Sequence, residues 1–393
     1  MVDYRYLIIG GGMTADAATT GIREVDATGT IGMISADPHP PYNRPPLSKG
    51  LWKGEDEESI WRGTEARGIQ VHLGRRVVSI DAHAKTVTDD RGTVYSFQSL
   101  LFATGGDPRR LADDSGQVIY YRTFDDYRRL RTMAADPVRF AVIGGGFIGS
   151  EIAAALRLQG RDVVMIVPDA GLAARVFPDA LSRFLVDYYR EKGVEMRMGE
   201  RMTGLDRREG GKVAVRTAAG KELEADVVVA GLGIVPNVAL AEAAGVRVEN
   251  GILVDEFLRT SHPDIYAAGD VANFFNPALG KRIRVEHEDN ANTMGRHAGL
   301  NMAGRATPYH HLPFFYSDLF DLGYEAVGDV DARHETFADW KEPMREGVVY
   351  YLGEGRVRGV LLWNTWGQVE AARALIAEPG PFKAADLRGR LPA

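Results

Sequence analysis

A short apolar run, a triple glycine, a stretch of small and apolar residues and a second apolar run occur in that order twice in this chain. The first copy is Tyr6 to Ile9, Gly10-Gly11-Gly12, Met13 to Glu24 and Thr30 to Ser35. The second is Phe140 to Ile143, Gly144-Gly145-Gly146-Phe147-Ile148-Gly149, Ser150 to Gln159 and Asp162 to Val167. Each copy predicts a strand, a tight turn, a helix packed on a sheet and a returning strand. In Gly10-x-Gly12-x-x-Ala15 and Gly144-x-Gly146-x-x-Gly149 the first glycine permits the turn and the second lets the backbone approach a pyrophosphate. The third small residue lets helix pack on strand, and the phosphates meet free N–H groups at the positive end of the helix dipole. One such motif is a weak signal. Two, with Asp37 and Asp169 following the second strand of each copy, predict two dinucleotide sites.

The rest of the chain fits around these copies. Its 393 residues suffice for two or three domains. Val71 to Ile80, Lys85 to Asp89 and Leu100 to Ala103 read as short strands of the first region, and residues around Leu111 to Ser115 as a linker. Asp179 to Lys192 is an amphipathic helix, followed by alternating strands at Val194 to Met198, Met202 to Arg207, Val213 to Thr217 and Asp226 to Ala230. Ile265 to Ala268 is a return segment that would complete the first region. From Leu312 the pattern becomes aromatic-rich alternation, with Gly353-Glu354-Gly355 as a hairpin turn and Val369 to Ala377 as a late helix. The expected fold class is therefore α/β: two Rossmann-like dinucleotide-binding domains, residues 1–114 with 240–311 and residues 115–239, plus a C-terminal α+β domain, residues 312–393.

Composition removes whole classes of chemistry. There is no cysteine, so disulfides, thiolate metal sites and cysteine nucleophiles are excluded within these residues. A formal net charge of −7 with both signs interleaved argues against broad nucleic-acid binding. The N-terminus lacks the pattern of a signal peptide. Val227 to Ala241, the longest uncharged apolar stretch, contains Gly231, Gly233 and Pro236 and is too short to span a bilayer. The expectation is a soluble, cytoplasmic protein with no integral membrane segment.

An acid at Asp169 would bind ribose hydroxyls and repel the extra phosphate of NADP, which favours NADH. It lies further from Gly144 than the roughly 20 residues of the simplest fingerprint. A helix-start acid after Pro168 is the alternative, and Arg175 is near enough to accept a phosphate. Two later segments, Leu100-Leu101-Phe102-Ala103-Thr104-Gly105-Gly106-Asp107-Pro108-Arg109 and Ile265-Tyr266-Ala267-Ala268-Gly269-Asp270-Val271-Ala272, resemble signatures of the two-nucleotide flavoprotein reductases. The resemblance implies FAD as the first dinucleotide and an Ala-Thr-Gly turn linking the two domains, with Thr104, Gly105, Arg109 and Gly233 counted among the cofactor-binding residues. It also implies that Asp270, after Gly269, binds the ribityl chain. A plain turn is the other reading of that Gly-Asp pair.

The likeness narrows at Pro41-Tyr42-Asn43-Arg44-Pro45-Pro46-Leu47-Ser48-Lys49, at Gly144 to Glu151, at Val285-Glu286-His287-Glu288-Asp289-Asn290-Ala291 and at Pro313-Phe314-Phe315-Tyr316-Ser317-Asp318. Together these resemble the ferredoxin-reductase and apoptosis-inducing-factor branch of the family, over nearly the whole chain, with Val-Glu-His and Phe-Tyr-Ser-Asp closer to the latter. The chain departs from the animal factor in having no targeting segment or long C-terminal insertion, Ala36 where a ribose-binding Glu stands, and Tyr316 in place of Trp. The resemblance implies that Arg44 and Lys49 lie against the flavin and that Lys49 pairs with Glu151 where hydride arrives. A cation there would stabilise negative charge on the reduced ring. The alternatives are a solvated lysine and a helix-terminal acid stabilised by the dipole.

By the same resemblance Phe147 covers the flavin, while its bland reading is a core aromatic. His287 and Tyr316 would complete an aromatic wall around nicotinamide and flavin. Glu286, Ile148 and Gly149 join Gly10, Gly12, Ala15, Asp37, Gly144, Gly146 and Asp169 as cofactor-binding candidates. His310-His311 and the arginine-rich segment Arg122 to Arg131 read as surface features, not as metal or anion sites. The expected activity is an FAD-dependent NADH oxidoreductase with no redox-active disulfide, passing electrons to a ferredoxin- or rubredoxin-type partner. The alternatives are a redox sensor of the apoptosis-inducing-factor kind, with a stable charge-transfer complex and NADH-linked homodimerisation, and an NADH oxidase or quinone reductase.

Overall fold

The computed structural model describes residues 1–112, 116 and 118–392. Asp113, Asp114 and Ser115, in the expected linker, lie outside the described residues. The chain forms two compact units: Met1–Arg44, Asp56–Asp107 and Val235–Phe314 make the first, and Pro45–Glu55, Pro108–Ile234 and Phe315–Ala393 the second.

In the first unit the strand Val2–Ile9 runs parallel between Ile31–Ile34 and Val94–Phe102, with Leu7 opposite Gly32 on one side and Leu100 on the other. Gln70–His72 extends the sheet beyond Ile31–Ile34, also in parallel. The return segment Ile265–Ala267 adds a further parallel strand beside Val94–Phe102, with Tyr266 opposite Leu101. Continuous apolar runs such as Tyr6 to Ile9 suit strands covered on both faces, and Leu7, Ile8, Leu100 and Leu101 are fully buried. One cover is the helix Met13–Arg23, which crosses the helix Glu288–Met302. Glycines make that crossing close: a Cβ on Gly21 would stand 2.0 Å from the Arg296 carbonyl oxygen, and one on Gly299 2.1 Å from that of Ala18.

The second unit repeats the device. Glu195–Met198, Asp162–Val167, Arg139–Ile143, Val227–Ala230 and Val118–Tyr120 form a parallel sheet in that order. A three-stranded antiparallel sheet, Met202–Arg207, Val213–Thr217 and Glu222–Ala225, accompanies it. The C-terminal residues build a five-stranded antiparallel sheet in the order Phe314–Leu319, Leu322–Gly328, Arg356–Trp363, Glu346–Gly353 and Glu335–Glu342, covered by the helix Val369–Ala377. The hairpin turn at Glu354-Gly355 has positive φ at both residues, 55° and 72°, the twist that joins such strands tightly. Among the described residues no helix is long and apolar enough to cross a membrane.

Candidate functional site

Both glycine turns are closed by the end of a neighbouring strand. Gly10 has φ +121°, and a Cβ there would stand 2.1 Å from the Ala103 carbonyl oxygen; Gly144 has φ +104°, with the Gly231 carbonyl oxygen at 2.5 Å. Only glycine serves at such positions. The helix Met13–Arg23 begins at Gly12 and the helix Phe147–Leu158 at Gly146, and neither N-cap has a side-chain hydrogen bond. At Gly12 and Gly146 the space a Cβ would take is open. The third positions differ: Ala15 is fully buried, whereas a Cβ on Gly149 would lie 2.1 Å from the Gly144 carbonyl oxygen.

The second helix carries Phe147 and Glu151 four residues apart, hence on one face. The strand Phe314–Leu319 carries Phe315 and Ser317 two apart, hence on one side. The two spacings match: the rings of Phe147 and Phe315 sit 5.1 Å apart, and Ser317 Oγ donates to Glu151 Oε1 at 2.5 Å. Lys49 Nζ reaches the same Oε1 at 2.6 Å, and Ser48 Oγ donates to Oε2 at 2.5 Å. The ammonium also lies 5.3 Å from the ring centre of Tyr316. Glu151 is 4% exposed and the Lys49 side chain 13%. Burying such a pair costs desolvation that the attraction alone barely offsets, so the two hydroxyl donors matter. Buried tyrosines surround the carboxylate. Burial, and then the Glu151 charge, pushes the Tyr189 and Tyr324 hydroxyls far above their usual range.

The family model for pyridine nucleotide-disulphide oxidoreductases matches residues 4–295, and that for the C-terminal part of mitochondrion-associated apoptosis-inducing factor matches residues 298–346. The chain is 36% identical to the ferredoxin–NAD(+) reductase component of an anthranilate 1,2-dioxygenase system from Burkholderia cepacia, over 97% of each. It is 33% identical to apoptosis-inducing factor 1, mitochondrial, from Dictyostelium discoideum, over 95% of this chain and 78% of that protein. A solved covalent complex of putidaredoxin reductase with putidaredoxin superposes with a TM-score of 0.90 at 30% identity, covering 96% and 94% of the two chains. The chain belongs to the pyridine nucleotide-disulphide oxidoreductase family.

A pyridine nucleotide-disulphide oxidoreductase of this kind uses FAD and a pyridine nucleotide, and the residues present fit both. Gly12 and Gly146 leave room for a pyrophosphate at two helix N-termini whose N–H groups no side chain caps.

As an oxidoreductase of this family the chain distributes its expected site residues over both units. Gly10, Gly12, Ala15, Asp37, Arg44, Thr104, Gly105, Gly269, Asp270, Glu286 and His287 belong to the first, and the others to the second. Asp37 accepts from the His39 N–H at 3.0 Å and the Tyr42 hydroxyl at 3.1 Å, so its carboxylate shapes the loop that carries it. The Arg44 N–H meets Met13 Sδ at 3.4 Å. Thr104 Oγ1 donates to the Asn237 carbonyl at 2.9 Å, and the Asn237 N–H to that of Gly105 at 3.0 Å. Gly269, at φ +76°, sits so close to Thr14 that a Cβ would come within 2.2 Å of its hydroxyl. Arg284 donates to the Asp270 carbonyl at 3.0 Å and pairs with Glu286 at 2.7 Å. His287 is the N-cap residue of Glu288–Met302. The Arg109 N–H donates to the Gly233 carbonyl at 2.9 Å, and Ile148 and Asp169 are exposed. Phe147 is half-buried and begins its helix, three residues before the expected start at Ser150.

The sequence reading missed Ser48 and Ser317 as partners of Glu151. Both stand inside quoted segments, beside Lys49 and Tyr316, but nothing local shows that they meet a carboxylate 103 and 166 residues away.

Proposed function

We propose that this protein is an NADH-dependent flavoprotein reductase that hands electrons to a small ferredoxin-type protein. Residues 1–114 with 240–311 would hold FAD, 115–239 NADH, and 312–393 form a C-terminal domain. FAD, when bound, takes two electrons from nicotinamide and returns them singly or in pairs. The chain's part is to keep a buried positive charge, Lys49 Nζ, fixed by Glu151 so that it faces the flavin without reorganising as negative charge develops there. Tyr316 lies beside that charge, its ring centre 5.3 Å away, and Phe147 would cover the flavin. No thiol relay exists in these 393 residues, so electrons leave from the flavin directly. The observation that carries the choice of acceptor is the full-length match, 97% of each chain, to a ferredoxin–NAD(+) reductase component.

The test is an anaerobic NADH titration followed by visible absorption, with air and then a ferredoxin-type protein admitted. Fast reoxidation by the protein acceptor and slow reoxidation by air support the reductase. A redox-sensing role is the second reading, favoured by the match of residues 298–346 to the apoptosis-inducing-factor C-terminal model. It requires a long-wavelength band that resists both acceptors and a shift in elution volume on size exclusion after NADH is added. For nucleotide choice, Asp169→Ala is expected to lower kcat/KM for NADH more than for NADPH; equal losses would remove Asp169 from the ribose site.

A further inference from the structure

The Glu151 carboxylate is held by more donors than an ion pair needs. Lys49 Nζ and Ser317 Oγ share one oxygen and Ser48 Oγ takes the other, and the serines are 7% and 1% exposed. They come from different elements: Ser48 ends the turn Pro45–Ser48, and Ser317 lies mid-strand. Ser48 Oγ otherwise reaches only the Pro45 carbonyl among its described contacts, at 3.5 Å, while Ser317 also hydrogen-bonds the Tyr324 hydroxyl. Two neutral donors on a buried carboxylate fix its plane, so the ammonium it holds has one place to be.

We propose that Ser48 and Ser317 are positioning residues: they clamp Glu151 in one orientation and thereby set the place of Lys49. This rests on the reading of Lys49 as the cation facing the flavin. The other titratable groups that face Glu151 are Tyr121, Tyr189 and Tyr324, all driven upward by burial, and so they donate no charge of their own near neutral pH. Lys53 and Asp318 line the crevice beside it and pair with each other at 2.9 Å. The carboxylate therefore depends on Lys49 and the two hydroxyls.

The experiment compares the parent protein, Ser48→Ala, Ser317→Ala, the double variant and Ser317→Thr, all loaded with FAD. Flavin reduction is followed by stopped flow over a range of NADH concentrations, and the visible spectrum of the oxidised flavin is recorded without NADH. Loss of both hydroxyls is expected to slow reduction about tenfold, ~1.4 kcal/mol of barrier, at unchanged apparent Kd for NADH, and to shift the flavin spectrum from the parent's. Ser317→Thr, which keeps the hydroxyl, restores the parent rate and spectrum. The single variants show smaller changes of the same sign and stand in if the double variant loses its flavin. A loss that Ser317→Thr does not restore, or parent-like rates and spectra in the alanine variants, overturns the proposal. Lys49→Ala in the same assay separates the two ideas: if it leaves reduction unchanged the functional reading itself has failed, whereas a slow Lys49→Ala beside parent-like serine variants sinks only the clamp.

Discussion

The helices behind the two glycine turns are built on one plan and differ in where they put a carboxylate. Counting from the first glycine, Asp16 and Ser150 are equivalent, as are Ala17 and Glu151. One residue is about 100° of helical rotation, so the two acids look in different directions. Asp16 is buried at 4% exposure and accepts from Arg62 Nε at 2.7 Å and Thr64 Oγ1 at 2.5 Å, with Arg67 Nη2 on the same oxygen as the threonine. Arg62 continues to Asn43 Oδ1 at 2.6 Å and Asn292 Oδ1 at 2.9 Å. That carboxylate ties loops onto the helix within its own unit. Glu151 instead holds one lysine and two serines and, among the described residues, no arginine. On the proposed reading a shared motif supplies the phosphate cradle, while the residues just behind it decide between a lock within the unit and a charge that faces the flavin.

The sharpest way to break the comparison is to remove each charge and read both rate and stability. Lys49→Ala is expected to slow flavin reduction by NADH about 10²-fold, measured by stopped flow on protein that keeps its flavin. Asp16→Ala is expected to cost about 3–5 kcal/mol of stability by leaving two arginines without their buried partner, read by urea denaturation, while the folded fraction reduces at the parent rate. A slow, fully stable Asp16→Ala protein would mean that the first carboxylate also serves the chemistry.

The third glycine-motif position sharpens the contrast at smaller scale. Gly149→Ala places a methyl against the Gly144 carbonyl oxygen and should cost about 1–3 kcal/mol together with weaker NADH binding. Ala15→Gly in the first turn should cost about 1 kcal/mol and leave NADH binding alone. The smallest effect concerns acid. Burial alone would raise the Asp89 carboxyl, but hydrogen bonds from Arg75, the Thr93 N–H and Tyr95 hold it well below the usual range. A lowered carboxyl contributes stability above its unfolded value of about 3.9 and loses it as pH falls. Thermal midpoints should therefore drop below about pH 4, and Asp89→Asn should flatten that drop at a lower starting stability.

Much of this was legible in order along the chain. Asp162–Val167, Met202–Arg207, Val213–Thr217 and Val369–Ala377 have the predicted bounds. Apolar periodicity and glycine punctuation are local signals, so such elements announce themselves. The edge strand Glu335–Glu342 did not, because none of its residues is buried and it owes its place to pairing with Glu346–Gly353. His311 shows the same limit. No acid stands near it in sequence at ligand spacing, yet Asp289 Oδ2 lies 2.6 Å from its Nε2.

The sequence by itself determined the two glycine turns, since only glycine tolerates their positive φ and the close approach of Ala103 and Gly231. It also excluded thiol chemistry and carried the family resemblance. Only the tertiary structure decided what holds Glu151. Lys49, Ser48 and Ser317 converge on it from turn and strand because helix and strand periodicities meet there, and a hydrogen bond across 166 residues leaves no local trace in the sequence.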